Sequence, residues 1–185
     1  MSGIIGTQGF TKGQSGIAGR PAPGTVVQVV KAHNNSGHES SGTTSDTSSS
    51  SLTLAITTKF KHTAIKVEMS QYGTHAQEVS YGKAWIQRAI SGGGTTQLYH
   101  NAPNMVHHHI NRADNRNNYE PLHFGCIDEP GQVAGTTITY TARYHRLSGQ
   151  ASPSGLYYFC HSGYLSHVAL TEYICLLYTS DAADE

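Results

Sequence analysis

Apolar and polar residues alternate with a period of two along much of this chain, and that period predicts β-strands rather than helices. Two runs show the alternation most clearly, at residues 52–57 and 64–69. Successive side chains of a strand point to opposite faces, so one apolar set in each run can face a core. The positions that we expect to point inward are Leu52, Leu54, Ile56, Ile65, Val67 and Met69.

The rest of the chain predicts further short strands, each bounded by turn signals. Residues 25–30 are apolar on both faces, which is typical of an inner strand of a sandwich. Three consecutive glycines after Ser91 predict a hairpin, and the run Asp128-Glu129-Pro130-Gly131 predicts a turn. The remaining strands are predicted at 81–90, 95–99, 106–110, 122–127, 136–146, 156–160 and 165–174.

This series of eight to ten short strands without a long helix predicts an all-β fold, an antiparallel β-sandwich of jelly-roll-like form. The polar, Ser-rich residues 33–51 predict a long surface loop with, at most, a weak edge strand. The first 24 residues carry glycine at 3, 6, 9, 13, 16 and 19. They predict an extended N-terminal arm (1–24), either flexible or wound as a stem with two sister chains, before the sandwich (25–174).

The composition fits a β protein rich in hydroxyl side chains and argues against several classes. Serine and threonine make up 38 of 185 residues, charged residues only 13%, and the net charge is zero. This balance argues against a helical bundle, a coiled coil and a nucleic-acid binder. No apolar run reaches about 18 residues, so we expect no membrane insertion. The start lacks the features of a signal peptide, and three cysteines without a C-x-x-C pair predict free thiols.

The last eleven residues, 175–185, resemble the translated sequencing adapter that closes many metagenomic reading frames. We therefore treat them as non-native and expect the sandwich to end at residue 174. Without their three acids and one cysteine, the chain keeps twelve bases against nine acids, which gives a net charge of +3, and two cysteines.

A series of motifs follows a set order along nearly all of the remaining chain. In order they are Gly3-Ile4-Ile5-Gly6, residues 23–30, the Ser/Thr-rich loop, residues 52–60 and 65–67, Asp128-Glu129-Pro130 and residues 166–172. This order resembles the small virion structural proteins, including tail-fibre proteins, of marine tailed bacteriophages. The resemblance implies a homotrimeric β-sandwich mounted on a phage tail or similar appendage, localised to the virion and assembled in the host cytoplasm. It implies no catalytic residue.

Histidine is unusually frequent, with twelve residues, and three stand together at positions 107–109. In a strand, His107 and His109 share a face and His108 points away. Around a trimer axis this pair would gather six imidazoles, enough for an octahedral transition-metal ion. The arrangement resembles the iron-clasped H-x-H threads of some phage fibre tips. The alternative is a solvent-facing polar patch on an edge strand or loop.

The polar stretch 101–119 is the candidate binding loop, because binding residues concentrate on loops over a rigid scaffold. Its amide, guanidinium and carboxylate groups suit a host surface glycan. Tyr157, Tyr158 and Tyr164 could add aromatic faces, with cross-strand packing as the alternative. The candidate ligand-binding residues are Asn111, Arg112, Asp114, Asn115, Arg116, Asn117 and Tyr119.

The sequence offers no convincing enzyme site. His123, Cys126 and Asp128 are close in sequence, but residues 123 and 126 face opposite sides of one strand and cannot join a triad. We expect Cys126 to be a small core residue and Asp128 a solvated turn acid. The sequence therefore predicts a non-enzymatic, cofactor-free structural protein of a virion appendage, bound to other virion proteins through its N-terminal arm. The alternative is a free-standing lectin-like module.

Overall fold

A computed structural model of the protein describes residues 22–34, 39–41, 47–76, 79–98, 106–111, 118–146, 156–159 and 165–175. These ranges form eleven β-strands and contain no helix that could span a membrane. The strands are β1 Val26–Asn34, β2 Glu39–Ser41, β3 Thr47–Thr57, β4 Thr63–Ala76, β5 Val79–Ile90, β6 Thr95–Gln97, β7 Val106–Asn111, β8 Asn118–Asp128, β9 Thr137–Arg146, β10 Leu156–Phe159 and β11 Ser166–Ile174.

The strands form two antiparallel sheets that face each other. Sheet I contains β1, β11, β4 and β8 in that order. Beside the last residues of β4, the place of β11 is taken by β10, and β2 pairs with the other side of β10. Sheet II contains β3, β9 and β5 in that order, and β6 and β7 pair with different halves of β5. The predicted antiparallel sandwich is confirmed.

The order of the long strands is that of a jelly roll. Along the chain, β1 lies in sheet I, β3 in sheet II, β4 in sheet I and β5 in sheet II. After β6 and β7, which stay in sheet II, β8 returns to sheet I, β9 to sheet II and β11 to sheet I. The early strands therefore lie beside the late ones, β1 beside β11 and β3 beside β9, as two interlocked Greek keys require.

The core fills the space between the two sheets. All six positions predicted to point inward contribute to it, five of them buried and Leu54 half-buried against the others. From sheet II, Tyr140 and Tyr144 are fully buried despite their hydroxyl groups. The remaining buried members are Ala84, Ile86, Leu98, Leu122, Phe124, Ile138, Ala142, Val168 and Leu170.

The first strand corrects one expectation. Residues 25–30 were expected to form an inner strand, but β1 pairs only with β11 among the described strands and forms an edge of sheet I. Val26 and Val29 are 48% and 52% exposed. Valine suits the pleated backbone of any strand, so a run of β-branched residues does not by itself indicate burial on both faces.

Short turns joined by hydrogen bonds close one end of the sandwich, which we call the tight end. It comprises the β3–β4 turn (58–62), the β5–β6 hairpin (91–94) and the β8–β9 connection (129–136). Backbone amides link these segments, Gly135 to Thr58, His62 to Gln132 and Ser91 to Thr137 at 2.8–3.1 Å between nitrogen and oxygen. Gly92 has φ of +76°, the left-handed conformation that the predicted hairpin needs from glycine.

Candidate functional site at the outer face of sheet I

Three histidines lie in one row across the outer face of sheet I. His33 on β1 is opposite His167 on β11, which is opposite Ser70 on β4, which in turn is opposite His123 on β8. Residues directly opposite each other in an antiparallel sheet share a face. All three histidines are exposed, whereas Ser70 is buried. The row therefore presents imidazoles from one edge of the sheet to the other.

An open groove of about 470 Å³ lies beside this row. In the next row of the sheet, Glu68 stands between Ala169 and Gly125, and these small neighbours leave space on either side of its carboxylate. The groove can thus accept a polar ligand. It is lined by Lys66, Val67, Glu68, Met69, Ser70, His123, Phe124, Gly125, Cys126, Ile127 and His167.

Gly125 keeps the groove open because no side chain fits at its position. A Cβ atom added there would lie 2.4 Å from the carbonyl oxygen of Val67 on β4. Real Cβ atoms do not approach a backbone oxygen so closely, so any other residue would push β8 away from β4. The absence of a side chain at Gly125 therefore explains both the close approach of β8 to β4 and the gap in the outer face of sheet I.

The charges at the groove belong to a surface ion pair. Lys66 Nζ lies 2.8 Å from Glu68 Oε1, and both side chains are almost half exposed. The hydrogen bond and the charge of Glu68 raise the pKa of Lys66 above its usual value. Because water screens such a pair, it orients the two groups more than it stabilises the fold. The groove thus offers one cation and one anion at its centre and imidazoles along one side.

Behind the groove, Asp128 joins the two sheets. Its carboxylate accepts hydrogen bonds from Arg88 Nη1 at 2.8 Å and from the Tyr140 hydroxyl at 2.7 Å. Arg88 and Tyr140 belong to sheet II and Asp128 to sheet I, and its side chain is only 7% exposed. Burial, together with the charge of Asp128, raises the pKa of Tyr140.

The expectation that Asp128 is a solvated turn acid is therefore wrong. It is the last residue of β8, and it continues the inward series Leu122, Phe124 and Cys126. The turn signal begins at Asp128, but this residue also ends the strand, and the alternation of the strand points its side chain inward.

Cys126 is a protonated thiol against the core. It is a free cysteine, half-buried, and it packs against the apolar cluster as expected. Burial, and secondarily the nearby charge of Asp128, raises its pKa to about 12. A thiol is nucleophilic only as the thiolate, so this cysteine is unreactive at neutral pH. His123 lies on the opposite, exposed face of β8, as the spacing predicts.

A second buried carboxylate, Glu172 on β11, was not singled out from the sequence. It is fully buried and accepts hydrogen bonds from Gln28 Nε2 at 2.6 Å and from the Lys59 backbone amide at 2.9 Å. Gln28 also donates to the Thr57 carbonyl at 2.7 Å, so the group connects β1 and β11 to the end of β3. The available signal was its place in the inward series of residues 166–174, whose other members are Ser166, Val168, Leu170 and Ile174.

The structure corrects the extent of the predicted binding loop. Asn111 ends β7, opposite Val79, and Asn118 and Tyr119 belong to β8, opposite His75 and Thr74. Strand pairing thus includes residue 111 and the last two residues of the stretch 101–119, and a role of this stretch in binding stays a prediction. Six candidates lie outside the described residues, namely Arg112, Asp114, Asn115, Arg116, Asn117 and Tyr164. The same holds for the side chains of Asn111, Tyr119, Tyr157 and Tyr158.

The other candidate, the metal clasp, lies on a described strand. The backbone of β7 places His107 opposite Lys83 and His109 opposite Tyr81 on β5. The strand on which the alternation argument rests is therefore present. The side chains of His107 and His109 lie outside the described residues, so metal binding there stays a prediction.

The segment 112–117, which carries most of the candidate binding residues, leaves the end of the sandwich opposite the tight end. There Asn34 of β1 lies opposite Ser166 of β11, and the start of β8 lies opposite the end of β4. β5 begins at the same end, opposite the end of β7. We call this the open end. The topology brings together at this end the attachment points of the segments 35–46, 77–78, 112–117 and 147–165.

No protein-family model and no curated protein matches the chain. Among the solved structures, one titled as the structure of infectious bursal disease virus, Gx strain, has a TM-score of 0.40 and 13% identity, and covers 83% of this chain. Another, titled as the infectious bursal disease virus VP2 subviral particle, has a TM-score of 0.38 and 11% identity, and covers 90%.

This chain spans 34% and 46% of the length of those two chains. The resemblance to marine phage proteins stays a prediction. The all-β sandwich follows from the strand pairings themselves.

Proposed function

We propose that this chain is a non-enzymatic structural component of a virus particle. The jelly-roll strand order carries the proposal, because this architecture recurs in virus capsid proteins, in lectins and in cupins. One fold serves many functions, so the choice among these functions depends on the interior and on the two ends of the sandwich. The inward positions of both sheets hold large apolar side chains, with Leu52, Met69 and Ile86 fully enclosed. This favours a scaffold with a packed core over a barrel that holds its ligand inside.

The contrast between the two ends supports the same proposal. The tight end is held by backbone hydrogen bonds between three connections, and the Thr58 hydroxyl adds a bond to the Val133 carbonyl at 2.8 Å. The open end carries the longer segments. A base held by hydrogen bonds, with the longer connections attached at the opposite end, suits a unit that is mounted on a particle and contacts its surroundings.

The direct test is whether the protein is part of purified particles. We expect mass spectrometry of gradient-purified virions to detect its peptides at constant stoichiometry to the other virion proteins. The N-terminal arm is expected to attach it, so a chain lacking residues 1–24 should fold but be missing from the particles. Peptides found only in the lysate would contradict this proposal, and incorporation without residues 1–24 would contradict attachment through the arm.

At finer detail, we propose a trimeric appendage of the tail-fibre type. Among the described strands, β1 and β8 lie at opposite edges of sheet I, and exposed edge strands of a sandwich are commonly covered by a neighbour. Exposed Val29 on β1 and Ile127 on β8, at 52% and 61%, give those edges apolar side chains to bury. Native mass spectrometry of the full chain should show three copies, and a monomer at micromolar concentration would exclude the trimer.

The groove favours one second candidate, a lectin-like module. Imidazoles, a carboxylate and an ammonium group beside an exposed isoleucine match the mixed polar and apolar surface of a sugar. A glycan array should then show binding that is lost in Glu68→Gln and His123→Ala but kept when residues 112–117 become a Gly-Ser linker. The reverse pattern would assign binding to the predicted loop, and no binding by the wild type would remove both.

A further inference from the structure

His33 and His167 lie directly opposite each other on neighbouring strands of sheet I. Both side chains are exposed, whereas their neighbours Ala32 and Val168, which are also paired, point toward the core. The two imidazoles therefore share the outer face, and their Cβ atoms are separated by about 4.5–5.5 Å, as for any directly opposite pair.

This spacing lets both imidazoles reach one ion. Histidine binds zinc through a ring nitrogen at about 2.0–2.1 Å, and the side chains of two opposite residues can converge above the sheet to that distance. β11 is fixed between β1 and β4, so the backbone holds the two ligands in place before any ion arrives. We propose that His33 and His167 form a two-histidine site for a transition-metal ion such as Zn²⁺, Ni²⁺ or Cu²⁺.

The third histidine of the row does not belong to this site. His123 lies two strands beyond His167, with Ser70 between them, and neighbouring strands are about 4.8 Å apart. Consistent with this, the described part of the chain contains no group of three or more metal-ligating side chains. His123 is thus a matched control, because it has the same chemistry and exposure in the same row.

The surroundings define the class of ion. Lys31 faces the same side two residues before His33, and Ala169 is opposite Lys31, so no carboxylate adjoins the pair on these two strands. A site with nitrogen ligands only favours zinc, nickel and copper over magnesium and calcium, which need oxygen. Water fills the remaining positions. β1 forms an edge of sheet I, so a donor from a neighbouring molecule can replace that water.

The test measures Cu²⁺ binding to the full chain by NMR, since a paramagnetic ion broadens only nearby amide signals. At substoichiometric Cu²⁺, we expect broadening around His33 and His167 in the wild type and in His123→Gln. In His33→Gln and His167→Gln this broadening should disappear. Zinc titration by calorimetry should show the matching loss, of at least about tenfold in affinity, since removing only a group that hydrogen-bonds to a metal ligand already costs about 10–100-fold.

Two results would overturn the proposal. Broadening confined to residues 106–111 in every variant would place metal binding on β7 alone. Equal zinc affinity in the wild type, His33→Gln and His167→Gln would exclude the pair. Both substitutions are at exposed positions, so amide spectra with unchanged dispersion confirm that the variants fold. The outcome is independent of whether the protein belongs to a virus particle.

Discussion

Two carboxylates inside the sandwich are stabilised in different ways. Asp128 is paired with the guanidinium of Arg88 and with a tyrosine hydroxyl, so its charge is compensated across the two sheets. Among the described residues, the donors to Glu172 are neutral, a backbone amide and a side-chain amide. In both places removal of one partner leaves a buried group unsatisfied, and that loss is larger than the net contribution of the bond.

The first prediction concerns the buried ion pair. Arg88→Met should lower the free energy of unfolding by about 3 kcal/mol, because the charge of Asp128 stays buried without its cation. The exposed pair offers a matched control, since Lys66→Met also removes one cation and should lower the free energy of unfolding much less, because water screens the charges of that pair. Urea unfolding of both variants measures the difference. Equal losses would mean that water reaches Asp128.

The second prediction concerns alkaline pH and Cys126. Its pKa is raised from 9.0 to about 12 by burial. The unfolded chain therefore releases this proton first, and stability falls as pH rises above about 9. Cys126→Ala should remove part of that fall, at most about 1 kcal/mol per pH unit because the thiol is only half-buried. Unfolding curves at pH 8, 9 and 10 test it. Parallel pH profiles for wild type and variant would contradict the assigned burial.

At the scale of the elements, β8 shows how one position can decide the spacing of two strands. Gly125 allows the backbone of β8 to approach β4 closely, and the same absence of a side chain opens the groove. The strand continues on both sides with ordinary alternation, and Leu122 and Phe124 are buried. The fit of β8 to sheet I therefore depends on this glycine rather than on the apolar pattern.

The third prediction follows from that fit. Gly125→Ala should destabilise the protein by about 1–3 kcal/mol, as expected for a side chain inserted where there is no space. Gly94→Ala in the β5–β6 hairpin is the control, because an added Cβ there has nothing within 4 Å. Thermal unfolding compares the two variants. A neutral Gly125→Ala would show that β4 and β8 can separate at no cost.

The elements themselves were largely predictable from the sequence, but their neighbours were not. The strand period predicts which residues of 52–57 and 64–69 point inward, and five of those six side chains are buried. The strand period does not show which strands are neighbours in a sheet, so β1 could not be recognised as an edge strand. The same period indicates that Asp128 and Glu172 point inward, but it does not indicate which residues they bind. Their partners Arg88 and Lys59 are 40 and 113 residues away along the chain.

At the scale of the whole molecule, the jelly-roll order fixes what each face and end can do. The outer face of sheet I collects residues from β1, β4, β8 and β11, which are far apart in sequence, so the histidine row is a product of topology. No local motif signals it. The sequence instead indicates a metal site at residues 107–109, where three histidines are adjacent in the chain.

The fourth prediction tests the clasp proposed for those residues. If a trimer holds a metal ion between its copies of His107 and His109, a strong chelator should lower the melting temperature, because an ion bound only to the assembled state stabilises it. His107→Gln/His109→Gln should melt like the chelated wild type, and His33→Gln should keep the response. An unchanged melting curve with no metal by elemental analysis would exclude the clasp.

The pairing of β1 with β11 has a consequence for how the chain folds. Val26 lies opposite Tyr173, so the first strand of the sandwich finds its only described partner almost at the other end of the domain. A ribosome must therefore release nearly the whole domain before sheet I can close. Contacts of such long sequence separation slow folding, and unpaired apolar strands are prone to aggregate meanwhile. Synthesis rate and chaperone supply should govern the soluble yield of this protein more than its final stability does.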